Sequence, residues 1–443
     1  MGKTQVSAVR AKRLERSEIP MKKTKSGSAA SPLWTRDFTI ITVGSVISML
    51  GNAMSGFAMS LMVLDISEST LLYALYIAMY TLPQIVMPVF SGAVLDRFSR
   101  KRTIYMLDFL SAGLYLLMAV ILASGWFSFL LFLIYCFILG SIQSIYMVAY
   151  ESFYPLLISE GNYQKAYSIA SVLETLSAVM IPVSTFLYNQ IGLAPLLGIN
   201  GICFFIAAVM ETRIRTDEQY IEIQKKTANK ALGHFRQMLT DTREGFQYLR
   251  MEKGLLAVAV YFGFSFFSGG VSSVITLPYF KNTFDNGEYI YMLVWGMSLV
   301  GRAIGGAIHY RVKLPAKRRF RTALTVYIVI GLLEAFYLFL SIPVMMACCF
   351  LIGIGGVTSY TIRISATQSY VPDEKKGRFN GVFNMINTVG SLAGEIAAGL
   401  LTLLMPERLV LMSALLLCVA SAIVIIGGNR KHVAAIYNRA EVS

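Results

Sequence analysis

The chain has 443 residues, 56% of them hydrophobic and 14% charged, against about 25% charged in a soluble domain. Folding alone cannot hide so much apolar surface, so an ordinary water-soluble protein is excluded and an integral membrane protein is expected. The net charge of +14 would point a soluble chain toward nucleic acid; here its placement along the sequence decides what it means.

In chain order, residues 1–36 are basic and polar with no apolar core, unlike a cleavable leader, and read as a cytosolic arm. A helix needs roughly 20 apolar residues to cross the hydrocarbon core. That rule predicts twelve spans, at about 38–64, 71–95, 103–124, 127–152, 166–188, 192–210, 255–280, 289–309, 322–341, 343–368, 380–404 and 409–428. The polar stretch between the sixth and seventh divides them evenly. The expected organisation is an arm (1–36), a six-span half (37–211), a cytosolic linker (212–254), a second six-span half (255–428) and a tail (429–443).

Within the linker, "GHFRQMLTDTREGFQYLRMEKG" sets Phe235, Met238, Leu239, Phe246 and Leu249 near one face at helical spacing. This predicts a helix lying on the inner membrane surface, or else one that binds a partner. A faint repeat links the halves: Gly92-Ala-Val-Leu-Asp-Arg97 closes the second span and Gly306-Ala-Ile-His-Tyr-Arg311 the eighth. "YPLLISEGNYQKAYS" after the fourth span likewise answers "YVPDEKKGRFNG" after the tenth.

With the amino terminus inside, 35 of the 39 Lys and Arg fall in the arm, tail and cytosolic loops. Lys281 and Arg408 lie outside, and Arg302 and Arg363 lie within spans. This asymmetry predicts a multi-pass protein of the cell membrane with both termini cytoplasmic, and it accounts for the charge without nucleic acid. The five Cys all fall in apolar runs and the three His are scattered, so neither a metal site nor a cofactor is expected. No Walker A sequence and no nucleophile constellation is present, which argues against ATP as the energy source and against an enzyme.

Between the second and third spans runs Gly92-Ala93-Val94-Leu95-Asp96-Arg97-Phe98-Ser99-Arg100-Lys101. It resembles the G-x-x-x-D-R-x-G-R-[KR] loop of the major facilitator superfamily of secondary transporters, with Ser99 where glycine is usual. The resemblance extends from about 34 to 428. It implies an all-α membrane protein whose twelve transmembrane helices form two pseudo-symmetric six-helix halves. It also implies a cytosolic latch between the halves built from Gly92, Asp96, Arg97 and Arg100, with Asp96 facing the positive end of the eleventh helix. Lys101 and Arg102 are read as loop anchors only. "VPDEKKGRFNGVFN" (371–384) and "REGFQYLR" (243–250) are similar to segments of the efflux branch that holds macrolide and enterobactin exporters and, more distantly, lysophospholipid carriers. The fifth span keeps Pro182 but not the exporters' following glycine pair.

Charges inside spans cost at least ~2.5–3.5 kcal/mol each and need a reason. Glu174 lies about 12 Å from the inner end of the fifth span and Arg302 about 10 Å from the inner end of the eighth. They are expected either to pair across the halves or each to satisfy a local partner. Glu395 stands among small residues in the eleventh span, about 22 Å from its inner end. A carboxyl so placed could load and release a proton, as antiport requires, or serve as neutral hydrogen-bonding glue between helices. Asn52, Gln84, Gln143, Arg363, Asn384 and Asn387 are the further candidates for a central cavity, with Arg363 alternatively reaching for the inner surface. Asp108 and Glu334 are expected to pair structurally, and Glu151 is open to either role. Phe262, Phe266, Phe267, Tyr279 and Tyr360, with the abundant Met, suit a greasy adaptable pocket or plain packing. The expected function is secondary transport by a monomer: outward movement of a small amphipathic organic substrate against protons, with membrane lipid as the surrounding partner. The alternatives are a lysophospholipid carrier and a non-transporting sensor or scaffold.

Overall fold

The computed structural model describes residues 32–95, 99–159, 162–216, 231–311 and 314–439. They form fourteen α-helices: α1 (Arg36–Ser67), α2 (Thr70–Leu95), α3 (Arg100–Ala123), α4 (Phe129–Phe153), α5 (Tyr163–Ile191), α6 (Leu193–Glu211), α7 (Ala231–Met251), α8 (Lys253–Thr283), α9 (Gly287–Arg311), α10 (Arg319–Phe336), α11 (Ile342–Tyr370), α12 (Asp373–Leu401), α13 (Glu407–Ser421) and α14 (Arg430–Tyr437). Each of the twelve expected spans falls on one of these helices. Among the described residues, ten helices are long and apolar enough by composition to cross a membrane. The fold is therefore all-helical, as lipid requires of a backbone that must satisfy its own polar groups.

The joints follow local chemistry. Gly192 alone separates α5 from α6; its φ of +77° is a left-handed turn that a side chain would strain. Ser99 caps α3 by accepting from the backbone N–H of Arg102 at 3.0 Å. The departure from glycine at this position thus supplies a helix start. α13 ends in a wide π-helical turn, Ala422–Gly427, before α14.

The first six spans and the last six pack by the same scheme. α2 lies on α4 and α9 on α11; α3 on α6 and α10 on α13; α1 on α5 and α8 on α12. The corresponding pairs α2/α4 and α9/α11 both close through glycine. A Cβ on Gly140 would stand 2.3 Å from the Tyr80 carbonyl oxygen, and one on Gly301 2.1 Å from that of Phe350. Small residues at such crossings let backbones touch where lipid gives no hydrophobic drive between helices.

The two ends of the bundle differ. One carries the short joints and the other the long basic segments. At the short-loop end a single buried cluster runs through both sets of spans, joining Met62 and Tyr73 to Val274 and Phe280. At the basic end the core splits in two, one part around Phe38 and Phe153 and the other around Tyr261 and Phe383. The bundle is closed at the first end and divided at the second.

The linker helix is present as α7. It packs on α12, α8 and α2. Leu249 is buried and Phe246 exposed; the side chains of Phe235, Met238 and Leu239 lie outside the described residues.

Candidate functional site

The latch candidates are only partly described. Asp96 and Arg97 lie outside the described residues, as do the surroundings of Gly92 at the end of α2. Arg100 Nη1 donates to the carbonyl oxygen of Ser152 at 3.0 Å, tying α3 to the end of α4. Lys101 Nζ donates to the Ile214 carbonyl oxygen at 3.1 Å, just beyond α6. Arg100 thus holds a helix C-terminal carbonyl, where a cation is favoured.

Where the core divides, a cavity of about 920 Å³ opens between α2, α4, α8 and α12. Gln84, Gln143, Asn384 and Asn387 all line it, with Tyr80, Met147, Glu151, Phe266 and Met385. Three of these helices contribute residues at helical spacing: Tyr80 and Gln84 on α2, Gln143, Met147 and Glu151 on α4, Gly381, Asn384 and Thr388 on α12. That spacing was the signal that could have drawn Glu151 and Met147 into the set. Thr242 of α7 borders the cavity toward the basic end. Asn387 is buried with its side-chain oxygen unpartnered. An amide so placed leaves an acceptor ready for a ligand.

The other candidates lie elsewhere. Asn52 accepts from the Tyr115 hydroxyl at 2.8 Å inside the first six spans. Arg363 is held among aromatic faces, its guanidinium carbon 4.9 Å from the ring centres of Phe262 and Phe383 and 5.5 Å from that of Tyr360. It is not among the residues that line the cavity. Of the aromatic candidates Phe266 alone lines the cavity; Tyr279 is buried with its hydroxyl donating to Leu338 O at 3.0 Å. Glu174 lies on α5 with its side chain outside the described residues. Arg302 on α9 is the positive charge that Glu334 of α10 faces, beside Ser272 of α8.

Glu395 sits on the seam between the two sets of spans, 4% exposed. Ser391 Oγ donates to its Oε1 at 3.1 Å, Thr81 of α2 faces it from across the seam, and its Oε2 has no partner. Beyond it the short-loop end is clasped. Lys281 pairs with Asp65, which also accepts from the Tyr188 hydroxyl. Asn189 Nδ2 donates to Glu288 and Tyr289 at 3.2 and 3.1 Å. Phe57 stacks on Tyr291 at 6.2 Å. A Cβ on Gly399 would stand 2.6 Å from that of Ala74.

At the basic end segments 243–250 and 371–384 meet. Arg378 pairs with Glu244 at 2.6 Å, Lys375 lies 4.5 Å over the Tyr248 ring, and Gly245 packs against the Arg378 carbonyl. A helical bundle closed at one end over a divided interior, with a polar cavity on the seam, is the geometry of a carrier. The sequence profile of the Major Facilitator Superfamily matches residues 41–395.

The chain belongs to the major facilitator superfamily.

It is similar to the uncharacterised MFS-type transporter YkuC of Bacillus subtilis (strain 168), 26% identical over 63% of this chain and 66% of that one. YfiS of the same organism is 25% identical over 84% of this chain and 88% of its own, and is likewise an uncharacterised MFS-type transporter. Among solved structures, the nucleoside transporter NupG matches with a TM-score of 0.62 at 12% identity, over 89% of this chain and 99% of NupG. A bacterial homologue of the iron transporter ferroportin, in an inward-facing state, matches with 0.63 at 16% identity, over 88% and 98%. The superfamily assignment makes this a secondary transporter, and the solved structures share its fold.

Proposed function

We propose that this transporter exports a small amphipathic organic molecule in exchange for protons, by alternating access. The observation that carries the reading is the seam itself. A cavity of about 920 Å³ with four amides and a wall of Phe266, Met147 and Met385 suits a cargo with polar and apolar faces. Behind it, Glu395 has one unpartnered oxygen and no described base facing it. A carboxyl there is neutral when it holds a proton and costly when it does not, so proton binding and seam closure are coupled. With the basic end cytoplasmic, as the charge asymmetry supports, the present arrangement is open inward and clasped outward.

Gradient-driven movement of a fluorescent amphiphile in proteoliposomes tests this. Wild type should move it against an imposed proton gradient. Glu395→Gln should lose gradient-driven movement while keeping passive exchange. Unaltered coupling in that variant would remove Glu395 from the mechanism, and no movement under any gradient would favour a sensor or scaffold.

A second reading has its own observation. An apolar groove of about 1060 Å³ runs along α7, α8 and α12, lined by Val260, Phe264, Met385 and Val389, with Arg243 and Arg250 at its edge. Acyl chains and an anionic headgroup would fit such a surface, which supports a lysophospholipid carrier. Movement of a headgroup-labelled lysophospholipid in the same vesicles, without movement of the amphiphile, would favour it.

A further inference from the structure

The most unusual group of side chains lies outside the central cavity, within the first six spans. Asp108 of α3 and Glu211, the last residue of α6, are 1% and 0% exposed. Their carboxyl groups are within hydrogen-bonding reach of each other. No hydroxyl, amide or cation donates to Asp108 Oδ2 or to either oxygen of Glu211. Asp108, expected from the sequence to pair structurally, has an acid as its neighbour.

From α1, Gly44 lets the backbone approach, so that a Cβ there would stand 3.4 Å from Glu211 Oε1. Ser45 is 3% exposed, its hydroxyl has no partner, and it lines the same cavity of about 460 Å³ as Asp108. From α4, the Tyr146 hydroxyl is buried and unpartnered and faces both acids and Ser45. Tyr150 and Glu151 lie further along the cavity, and α5 contributes Leu173. The bases of this end are directed elsewhere: Arg100 to Ser152, Lys101 to Ile214, with Arg213 and Arg215 exposed.

Ionised carboxylates only accept hydrogen bonds. Two of them touching, out of water and without a cation, repel strongly, so one must be neutralised. Among the described residues no group of three or more His, Cys, Asp or Glu gathers here to hold a metal ion, whereas two carboxyls within hydrogen-bonding reach of each other fit a shared proton. We propose that Asp108 and Glu211 hold one proton between them. They form a proton-binding site inside the first six spans, separate from Glu395, that exchanges with water through the cavity at Ser45 and Tyr146. The proposal extends the proton-coupled reading and rests on it only for the use to which the proton is put.

Infrared difference spectroscopy of the full-length protein in lipid nanodiscs, titrated across neutral pH, reads this site without any cargo. Wild type and Glu395→Gln should both show a protonated-carboxyl carbonyl band that persists above neutrality. In the Glu395→Gln background, Asp108→Asn and Glu211→Gln should each lose it, since either amide leaves a single carboxylate that ionises and accepts from the new amide N–H. Survival of the band in both variants overturns the proposal. So does its loss from wild type on adding sodium, potassium, magnesium or calcium at constant pH, which would mark a metal-cation site. Should those variants fail to fold, Ser45→Ala and Tyr146→Phe keep both carboxyls and should shift the band's frequency; no shift in either overturns the proposal. A failed transport assay with an intact band would count against proton-coupled export and not against the pair.

Discussion

Single residues set how close the helices come. Gly140 and Gly56 are both glycines in long helices and look alike in sequence, yet their surroundings differ. A Cβ on Gly140 would meet the Tyr80 backbone, while one on Gly56 meets nothing within 4 Å. Backbone cannot swing aside as a side chain can, so Gly140→Val should destabilise by about 1–3 kcal/mol or more, as overpacking does. Gly56→Ala should be neutral or slightly stabilising. Thermal melts of the detergent-purified variants check both, and equal midpoints would refute the contrast. At the same scale, the amides Gln84, Gln143, Asn384 and Asn387 were legible as polar residues in apolar runs. That they share one cavity while Asn52 bonds Tyr115 was not legible, because helix rotation is set by neighbours.

Among elements, the short-loop ends of α1 and α5 are tied to those of α8 and α9. Each tie is weak alone: a partly exposed ion pair such as Lys281 with Asp65 is worth about 0–1 kcal/mol. Together with the Asn189 hydrogen bonds they bias which end of the bundle is closed. Lys281→Ala combined with Asn189→Ala should shift the population toward opening at this end. A cysteine placed by Tyr291→Cys should then react faster with an impermeant maleimide than in the otherwise unaltered protein; an unchanged rate would mean that the apolar cluster alone holds the closure. The α7 helix was legible from its apolar spacing. Its docking was not: the Arg378–Glu244 pair joins residues far apart in the chain, and only their convergence at the basic end reveals it.

For the whole molecule, the basic end is expected to face the cytoplasm with both termini. Reporters fused at either terminus should be active only as cytoplasmic fusions, and activity of either on the outer face would reverse the proposed direction of transport. The sequence by itself determined the twelve spans, because lipid imposes the same requirement on each segment independently: roughly 20 apolar residues and an internally bonded backbone. It also determined the asymmetry of charge between the two ends. Only the tertiary structure decided which polar groups meet. Glu211 borders the polar linker in sequence, yet packing of α6 against α1 and α3 carries it into the interior beside Asp108. Burial of a residue at a helix end depends on what the neighbouring helices cover, and no local pattern encodes that.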